Sequence, residues 1–240
     1  MGLGERLKSK LLRTVLPAPV AVVRAEPTLM FSAHDDPVRP SERLLDVALG
    51  AVAAARTVDV APLSARLSEP PDYPNVWPGE HYKLLAGLVA TLAPRSVVEI
   101  GTGSGLSALA MLLTLPADSR LVTFDLLAWR DDPQTVLRAE DFADGRLRQE
   151  LDDVSGPAGL ARHRELLESA DFLFIDAPKD GAMEYRLLAQ LETLALAQPI
   201  VMFDDIRFVT MLKLWRELKR PKLDLTSFGH WSGTGLVEWV

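Results

Sequence analysis

The stretch Ser96-Val-Val-Glu-Ile-Gly-Thr-Gly-Ser-Gly105 decides the fold of this chain. A short apolar run rich in β-branched residues is followed by three alternating glycines, and the residues from Leu106 to Leu115 have the composition of a helix. Strand, glycine-rich turn and helix form the unit with which α/β proteins bring backbone N–H groups to a ligand. Because glycine has no Cβ atom, the backbone can pass close to that ligand. The stretch therefore predicts a ligand-binding strand–turn–helix unit.

The spacing of these glycines differs from the dinucleotide fingerprint G-x-G-x-x-G. That pattern needs a glycine where Leu106 stands, and here the third glycine comes one place early, at Gly105. The spacing E-x-G-x-G-x-G from Glu99 to Gly105 resembles motif I of the class I methyltransferases that depend on S-adenosylmethionine (SAM). This resemblance implies SAM as the cofactor, and the early third glycine disfavours an NAD-dependent dehydrogenase. The plain structural alternative is a tight turn of the kind found in any doubly wound protein.

Composition argues against several classes of partner. The 240 residues carry a net charge of −7 with no evident stripe of lysine and arginine, so nucleic acid is not an expected partner. The absence of cysteine excludes disulfides and thiolate metal sites and fits a cytoplasmic protein. No apolar run approaches the roughly 20 residues of a membrane helix, so we expect no membrane span.

Prolines divide the chain into two parts. Five of them, at positions 62, 70, 71, 74 and 78, mark a linker. Residues 1–75 are predicted to form a helical N-terminal extension, a cap or dimerisation arm, and a homodimer is the expected assembly. This extension contains a predicted amphipathic helix from Leu3 to Val15 and a second helix, capped by Ser41, that runs to about Thr57. Residues 76–240 are the predicted catalytic domain.

Strand and helix signals alternate from Gly79 onward, which is typical of a parallel sheet. The predicted strands are 96–100, 120–125, 146–151, 171–176 and 199–203, and the predicted helices are 81–92, 106–115, 133–142, 158–169, 183–196 and 206–219. Segments 223–228 and 236–240 flank a glycine-rich turn and predict a closing hairpin. The predicted fold class is α/β, a Rossmann-like sheet with helices on both faces. Seven mostly parallel strands with an antiparallel C-terminal hairpin are what the resemblance implies.

Acidic residues follow the predicted strands, at Glu99, Asp125, Asp152–Asp153, Asp176 and Asp204–Asp205. Ligands of open α/β sheets bind beyond the carboxyl ends of the strands, and like charges gathered there repel unless a cation or several hydroxyls lie among them. Asp125, about 20 residues after the glycine turn, is placed to bind a ribose diol. The resemblance puts Glu99 near the methionine part of SAM, and Asp152 or Asp153 near the adenine. The predicted cofactor-binding residues are Glu99, Gly101, Thr102, Gly103, Ser104, Gly105, Asp125, Asp153 and Asp176.

A second resemblance concerns a metal. Asp171-Phe-Leu-Phe-Ile-Asp-Ala-Pro-Lys179 is similar to the D-x-V-F-I-D-A-x-K segment of the catechol and caffeoyl-coenzyme A type metal-dependent O-methyltransferases. In that family a carboxylate after the fourth strand and an Asp-Asn pair after the fifth hold Mg²⁺. The pair here is Asp204-Asp205, which is closer to the macrolide-sugar O-methyltransferases. The resemblance implies that Asp176, Asp204 and Asp205 bind Mg²⁺ or another divalent cation, which three carboxylates suit. The alternative for Asp205 is an N-cap of the helix predicted from Ile206.

Two residues are predicted to be catalytic, Lys179 and His81. Lys179 matches the family's base, although neighbouring carboxylates raise the pKa of a lysine, and a plain ion pair with Asp180 or Asp204 is the alternative. His81 opens a helix that passes near the cofactor in this fold. Together with His34 and His230 it leaves an alternative base open.

The predicted function is SAM-dependent, metal-assisted methylation of a hydroxyl on a small molecule. A sugar or glycoside hydroxyl is favoured, because of the Asp204-Asp205 pair and because the extension has few aromatic residues. Two alternatives remain: a catechol or phenol acceptor, and a SAM- or nucleotide-binding protein without catalysis.

Overall fold

The computed structural model describes residues 36–69, 71–76 and 80–240. The amphipathic helix predicted from Leu3 to Val15 lies outside the described residues, as does His34. The residues from Val38 to Val240 form one compact unit. Among the described residues, no helix is both long enough and apolar enough to cross a membrane.

Seven strands form one sheet in the order β3-β2-β1-β4-β5-β7-β6. They are β1 (Ser96–Ile100), β2 (Arg120–Asp125), β3 (Leu147–Leu151), β4 (Phe172–Ile175), β5 (Ile200–Asp204), β6 (Lys222–Asp224) and β7 (Thr234–Glu238). The first five are parallel, whereas β7 lies antiparallel between β5 and β6. The predicted Rossmann-like sheet with an antiparallel C-terminal hairpin is confirmed. The strand order reverses between β1 and β4, which is where open α/β sheets bind ligands.

Helices cover both faces of the sheet. Successive side chains of a strand point to opposite faces, and both sets are mostly apolar in the central strands, so each face needs a covering layer. The helices are α1 (Glu42–Ala55), α2 (Ala61–Ser64), α3 (His81–Leu92), α4 (Leu106–Leu112), α5 (Pro157–Glu168), α6 (Ala182–Leu191) and α7 (Val209–Glu217). Val97 packs in an apolar cluster with residues of α1, α3 and α4. Its neighbour Val98 packs in a second cluster with residues of α5, α6 and α7. The sheet is therefore buried on both faces, and its strand ends are left as the natural place for a site.

Helix α1 shares the core of the sheet. Its predicted cap is present, since the Ser41 Oγ accepts a hydrogen bond from the backbone N of Leu44 at 3.0 Å. A Cβ atom added at Gly87 of α3 would lie 2.3 Å from the carbonyl oxygen of Ala51, so α1 and α3 touch at the backbone. Residues 42–55 thus belong to the same compact unit as the sheet, while the cap or dimer role of the extension stays a prediction.

The helix predicted over Pro133–Phe142 is wrong. This segment is irregular and holds one short 3₁₀ turn at Ala139–Phe142, with another before it at Trp129–Asp131. Short polar side chains bind the local backbone instead, as where the Asp132 Oδ1 accepts a hydrogen bond from the N of Gln134 at 2.7 Å. Such contacts compete with the helical ladder.

Candidate active site

The glycine turn after β1 is held in a conformation that favours glycine. Gly101, Gly103 and Gly105 have φ angles of +101°, +47° and +84°. A Cβ atom at Gly101 would lie 2.0 Å from the carbonyl oxygen of Asp176, whereas one at Gly103 would meet nothing within 4 Å. The turn therefore touches the loop after β4 at Gly101 and faces open space at Gly103.

A cleft of about 430 Å³ runs along the carboxyl ends of the strands at the switch point. Five of the nine predicted cofactor residues line it, namely Gly101, Gly103, Asp125, Asp153 and Asp176. Its volume lies within the range of about 300–1,000 Å³ that is usual for small-molecule sites. The cleft is therefore the candidate cofactor site.

Glu99 precedes Ile100, which lines this cleft, but is itself fully buried and not part of the lining. Its Oε1 accepts a hydrogen bond from the Oγ of Ser107 at 2.5 Å, and its buried Oε2 has no hydrogen-bond partner among the described residues. Burial raises the pKa of Glu99 to about 8. A cationic group placed near Oε2 would compensate the charge that burial disfavours.

Three other predicted residues shape the turn and do not line the cleft. The buried Thr102 shares a hydrogen bond of 2.9 Å with Thr123 of β2. The carbonyl oxygen of Ser104 accepts a hydrogen bond from the N of Val136 at 2.9 Å. Gly105 is packed under the side chain of Leu137, whose Cγ would lie 2.2 Å from an added Cβ. The irregular segment after β2 thus covers the turn from outside.

The Asp125 carboxylate binds the backbone around the cleft. Its Oδ2 accepts hydrogen bonds from the N atoms of Thr102 at 2.9 Å and Gly103 at 3.1 Å. Its Oδ1 accepts from the N atoms of Leu126 at 2.7 Å and Leu127 at 3.1 Å. The residue ties the glycine turn to the end of β2, and its ribose role stays a prediction.

The two aspartates after β3 have different partners. Arg162 donates hydrogen bonds of 2.5 and 2.7 Å to Asp152, and this contact lowers the pKa of that carboxyl to about 2. His163 lies 3.0 Å from the same carboxylate. The Oδ1 of Asp153 accepts from the N and the Oγ of Ser155 at 2.9 and 2.6 Å. Because Asp152 is held by two side chains, Asp153 remains the candidate for contact with the cofactor.

The three carboxylates predicted to bind metal lie together. Asp176 follows β4, Asp204 ends β5 and Asp205 comes next, and one oxygen from each falls within 4.8 Å of the others. The Lys179 Nζ lies 2.6 Å from the Oδ1 of Asp176 and 2.6 Å from the Oδ2 of Asp205. A cationic group therefore already lies between two of the three carboxylates.

Asp205 is not a helix cap, so that alternative is wrong. Helix α7 begins three residues later than predicted, at Val209, and its N-cap residue is Phe208. Asp205 has a φ of +57°, and its carboxylate accepts a hydrogen bond from the Oγ of Ser232. A positive φ in a residue other than glycine is uncommon and marks a position that its surroundings fix.

The backbone of Lys179 also lies in the left-handed region, with a φ of +62°. Its backbone N donates to the Oε1 of the buried Glu184 at 2.7 Å, and its carbonyl oxygen accepts from the Oγ1 of Thr210 at 2.5 Å. Its ion pairs are with Asp176 and Asp205, where the sequence had suggested Asp180 or Asp204. The buried Glu184 thus fixes the backbone of Lys179, a role that its position in the sequence does not indicate.

The charges of the site are set by burial and by these contacts. Burial, together with the charge of Asp204, raises the pKa of Asp176 to about 6. Burial would lower the pKa of Lys179, but the charge of Asp176 outweighs it and the pKa is raised. Burial likewise opposes the charge of Asp205, yet hydrogen bonds from His230 and Lys179 lower its pKa. Lys179 is therefore an ammonium group at neutral pH.

Two histidines approach Asp204 from different elements. The His230 Nδ1 lies 3.2 Å from both oxygens of Asp204, and the His81 Nδ1 lies 3.8 Å from Asp204 Oδ1. Although burial alone would lower it, hydrogen bonds to Asp204 and Asp205 raise the pKa of His230 to about 10. Burial lowers the pKa of His81, so its ring is neutral. Both predicted catalytic residues, Lys179 and His81, thus lie at the same group of carboxylates.

Residues 98–206 match a family model described as a methyltransferase domain. The match begins inside β1 and ends just after Asp205, so it contains the glycine turn, the strand ends that line the cleft and all three carboxylates. It covers the part of the chain on which the two sequence resemblances rest.

Solved structures with a similar fold include a methyltransferase from Geobacter sulfurreducens. It is 18% identical with a TM-score of 0.53, over 80% of this chain and 97% of that one. An O-methyltransferase from Bacillus cereus in complex with SAH is 18% identical with a TM-score of 0.48, over 97% of both chains. The SAH-bound methyltransferase PaMTH1 from Podospora anserina is also 18% identical with a TM-score of 0.48, over 81% of this chain and 88% of its own.

Proposed function

We propose that this chain, which carries a methyltransferase domain with the class I SAM-dependent fold, moves a methyl group from SAM to a hydroxyl oxygen of a small molecule, assisted by a divalent cation. The observation that carries the proposal is the position of Asp176. Asp176 is one of the residues that line the cofactor cleft, and one of its carboxylate oxygens lies within 4.8 Å of an oxygen of Asp204 and an oxygen of Asp205. A methyl donor bound in the cleft and a polar acceptor bound at the three carboxylates would therefore lie next to each other.

The residues of the cleft fit SAM. The open space at Gly103 admits a ligand next to the backbone, and the unpartnered Oε2 of Glu99 suits the cationic amino group of the cofactor's methionine part. Asp125 and Asp153 would hold the ribose and the adenine as predicted. When bound, SAM supplies a methyl group on a positively charged sulfur that an oxygen can attack.

The three carboxylates fit a divalent cation. Carboxylate oxygens are the ligands that Mg²⁺ prefers, and the ammonium group of Lys179 already lies between Asp176 and Asp205. When bound, such a cation lowers the pKa of an acceptor hydroxyl and holds its oxygen in place. Lys179 would have to move or share these oxygens, which a flexible four-carbon side chain allows.

Lys179 and His81 act in this proposal by charge and position. The ammonium group of Lys179 carries no lone pair for a proton, but it donates hydrogen bonds and stabilises negative charge that develops on an acceptor oxygen. The Nδ1 of the neutral His81 lies 3.8 Å from the Oδ1 of Asp204, which is beyond hydrogen-bond distance, so His81 lines the site without holding that carboxylate. The carboxylate that ends β5 is held by His230, whose Nδ1 lies 3.2 Å from both of its oxygens.

A sugar or glycoside hydroxyl is the favoured acceptor. The site presents several carboxylate oxygens close together, which suit the hydroxyls of a sugar as well as a cation. A catechol or phenol is the second candidate, because aromatic side chains flank the site. Trp231, next to His230, is 64% exposed, and Phe208, three residues after Asp205, is 40% exposed. Either the face of a sugar or an aromatic ring can pack on such side chains.

Methyl transfer from labelled SAM to a panel of sugars, glycosides and phenols, with Mg²⁺ or with EDTA, tests the proposal. We expect a methyl ether that forms only with the metal. If SAM binds but no member of the panel is methylated, the chain is a binding protein without catalysis. A homodimer and a cytoplasmic location remain predictions, and light scattering of the full chain tests the first.

A further inference from the structure

We infer that His81, Asp204 and His230 form a second metal site, selective for a first-row transition metal such as Zn²⁺, next to the proposed Mg²⁺ site. One ligand atom from each of the three residues lies within 4.8 Å of the others. The inference rests on the proposed function only in that Asp204 is shared between the two sites.

The distances suit a small coordination sphere. In a tetrahedral site with bonds of about 2.0–2.1 Å, neighbouring ligand atoms lie about 3.3 Å apart. The His230 Nδ1 is 3.2 Å from Asp204, and the His81 Nδ1 is 3.8 Å from it. The two imidazole rings are 5.1 Å apart between centroids. The His230–Asp204 distance already matches this spacing, and a shift of the His81 ring by about 0.5 Å would bring its Nδ1 to the same distance from Asp204.

The buried nitrogen of His81 points to a ligand that the side chains do not supply. Its side chain is 9% exposed, and Nδ1 has no hydrogen-bond partner among the described residues. Leaving such a group unpaired costs about 1–3 kcal/mol, so buried polar atoms usually have partners. A metal ion bonded to Nδ1 would satisfy it.

Both histidines are held in place by the fold. His81 is the first residue of α3, and its ring packs against Tyr82 and Phe174 at centroid distances of 4.9 and 5.8 Å. The backbone N of His230 donates to the Oγ1 of Thr234 at 2.7 Å. Its loop approaches the one after β5 so closely that a Cβ at Gly233 would lie 2.6 Å from a backbone nitrogen. Ligands on such supports are positioned before the metal binds, and the metal would displace the proton that His230 holds next to Asp204.

The donor atoms decide which metal is preferred. Imidazole nitrogen suits Zn²⁺, Fe²⁺, Co²⁺ and Ni²⁺, whereas Mg²⁺ selects oxygen ligands. Asp176, Asp204 and Asp205 offer oxygen alone, and the histidine site offers two nitrogens and one oxygen. A mixture of Mg²⁺ and a transition metal should therefore divide between the two sites.

Cobalt(II) is the probe, because it absorbs visible light more strongly in a four- or five-coordinate site with nitrogen ligands than in an octahedral oxygen site. We expect strong bands when Co²⁺ is added to the full chain in excess Mg²⁺. His81→Leu, which keeps apolar packing, and His230→Gln should each weaken this binding by at least about 100-fold, since changes one shell further out already cost about 10–100-fold. His163→Gln is the control histidine and should leave the bands unchanged, as should Asp176→Asn, which alters only the oxygen site.

Bands that are weak already in the parent chain and unchanged in both histidine variants would overturn the inference, because Co²⁺ would then occupy the oxygen site alone. SAM binding is measured on the same samples by calorimetry. If the parent chain does not bind SAM, the proposed function is refuted while the cobalt result still stands. If His81→Leu fails to fold by circular dichroism, His230→Gln decides the question, since His230 lies in a partly exposed loop.

Discussion

The affinity for SAM should depend on pH through Glu99. Its pKa of about 8 means that the carboxyl is mostly protonated at neutral pH in the cofactor-free protein. If the cofactor's cationic amino group meets Oε2, binding selects the charged carboxylate and releases a proton. Because the pKa is raised, the affinity approaches its maximum only about one pH unit above 8 and falls steadily as the pH drops below 8.

The size of the effect follows from the ionised fraction of Glu99. That fraction rises roughly eightfold between pH 6.5 and 7.5 for a pKa of about 8, so the dissociation constant for SAM should fall by the same factor. Calorimetry in EDTA measures it without interference from a metal. Repeating the titration at pH 7 in buffers of different ionisation enthalpy should show the release of about 0.9 proton.

Glu99→Gln is the matched control for this experiment. The amide keeps the shape of the side chain and cannot titrate, so the affinity of this variant should not change over the same pH range. A wild-type affinity that is flat between pH 6.5 and 7.5, or a slope that survives in Glu99→Gln, would refute the contact between this carboxylate and the cofactor.

Four further substitutions test the geometry of the site. Gly101→Ala should lower the free energy of unfolding by more than about 3 kcal/mol in urea titrations, because its new Cβ atom would clash with the loop after β4. Gly103→Ala adds only backbone strain and should lower it by about 1 kcal/mol. Equal losses in the two variants would contradict the close contact at Gly101. Lys179→Met should lower the free energy of unfolding by about 2 kcal/mol in EDTA, which is less than the loss expected for a fully buried ion pair. Mg²⁺ should restore part of this stability. If Mg²⁺ does not stabilise the variant, that result would count against a cation at Asp205. Asp176→Asn should abolish metal-dependent methylation while SAM still binds, and full activity in this variant would remove the metal hypothesis.

The sheet was predictable because its local signals agree with one another. The boundaries of β1 and β2 match the prediction, since apolar β-branched runs there end in turn residues. The Ser41 cap and helix α3 were found for the same reason. The helix expected at Pro133–Phe142 failed where aspartate side chains bind the local backbone, a competition that apolar spacing does not report.

The site was only partly predictable, because its supports come from distant parts of the chain. Asp176 and the Asp204-Asp205 pair follow neighbouring strands, so strand order alone brings them together. Ser232 and Glu184 were missed, since their contacts depend on how β7 enters the sheet and how α6 packs. Buried carboxylates are normally hydrogen-bonded, but this rule points to Ser232 and Glu184 only when the strand order and helix packing are known.

We propose that a methyl group passes from SAM to oxygen at the carboxylates of Asp176, Asp204 and Asp205. The most direct measurement uses ¹³C-methyl SAM, an acceptor panel and Mg²⁺, with the product identified by NMR. We expect a methyl ether in the product when Mg²⁺ is present, and no such product in EDTA or with the Asp176→Asn variant. A product methylated on nitrogen or carbon, or equal rates with and without EDTA, would contradict it.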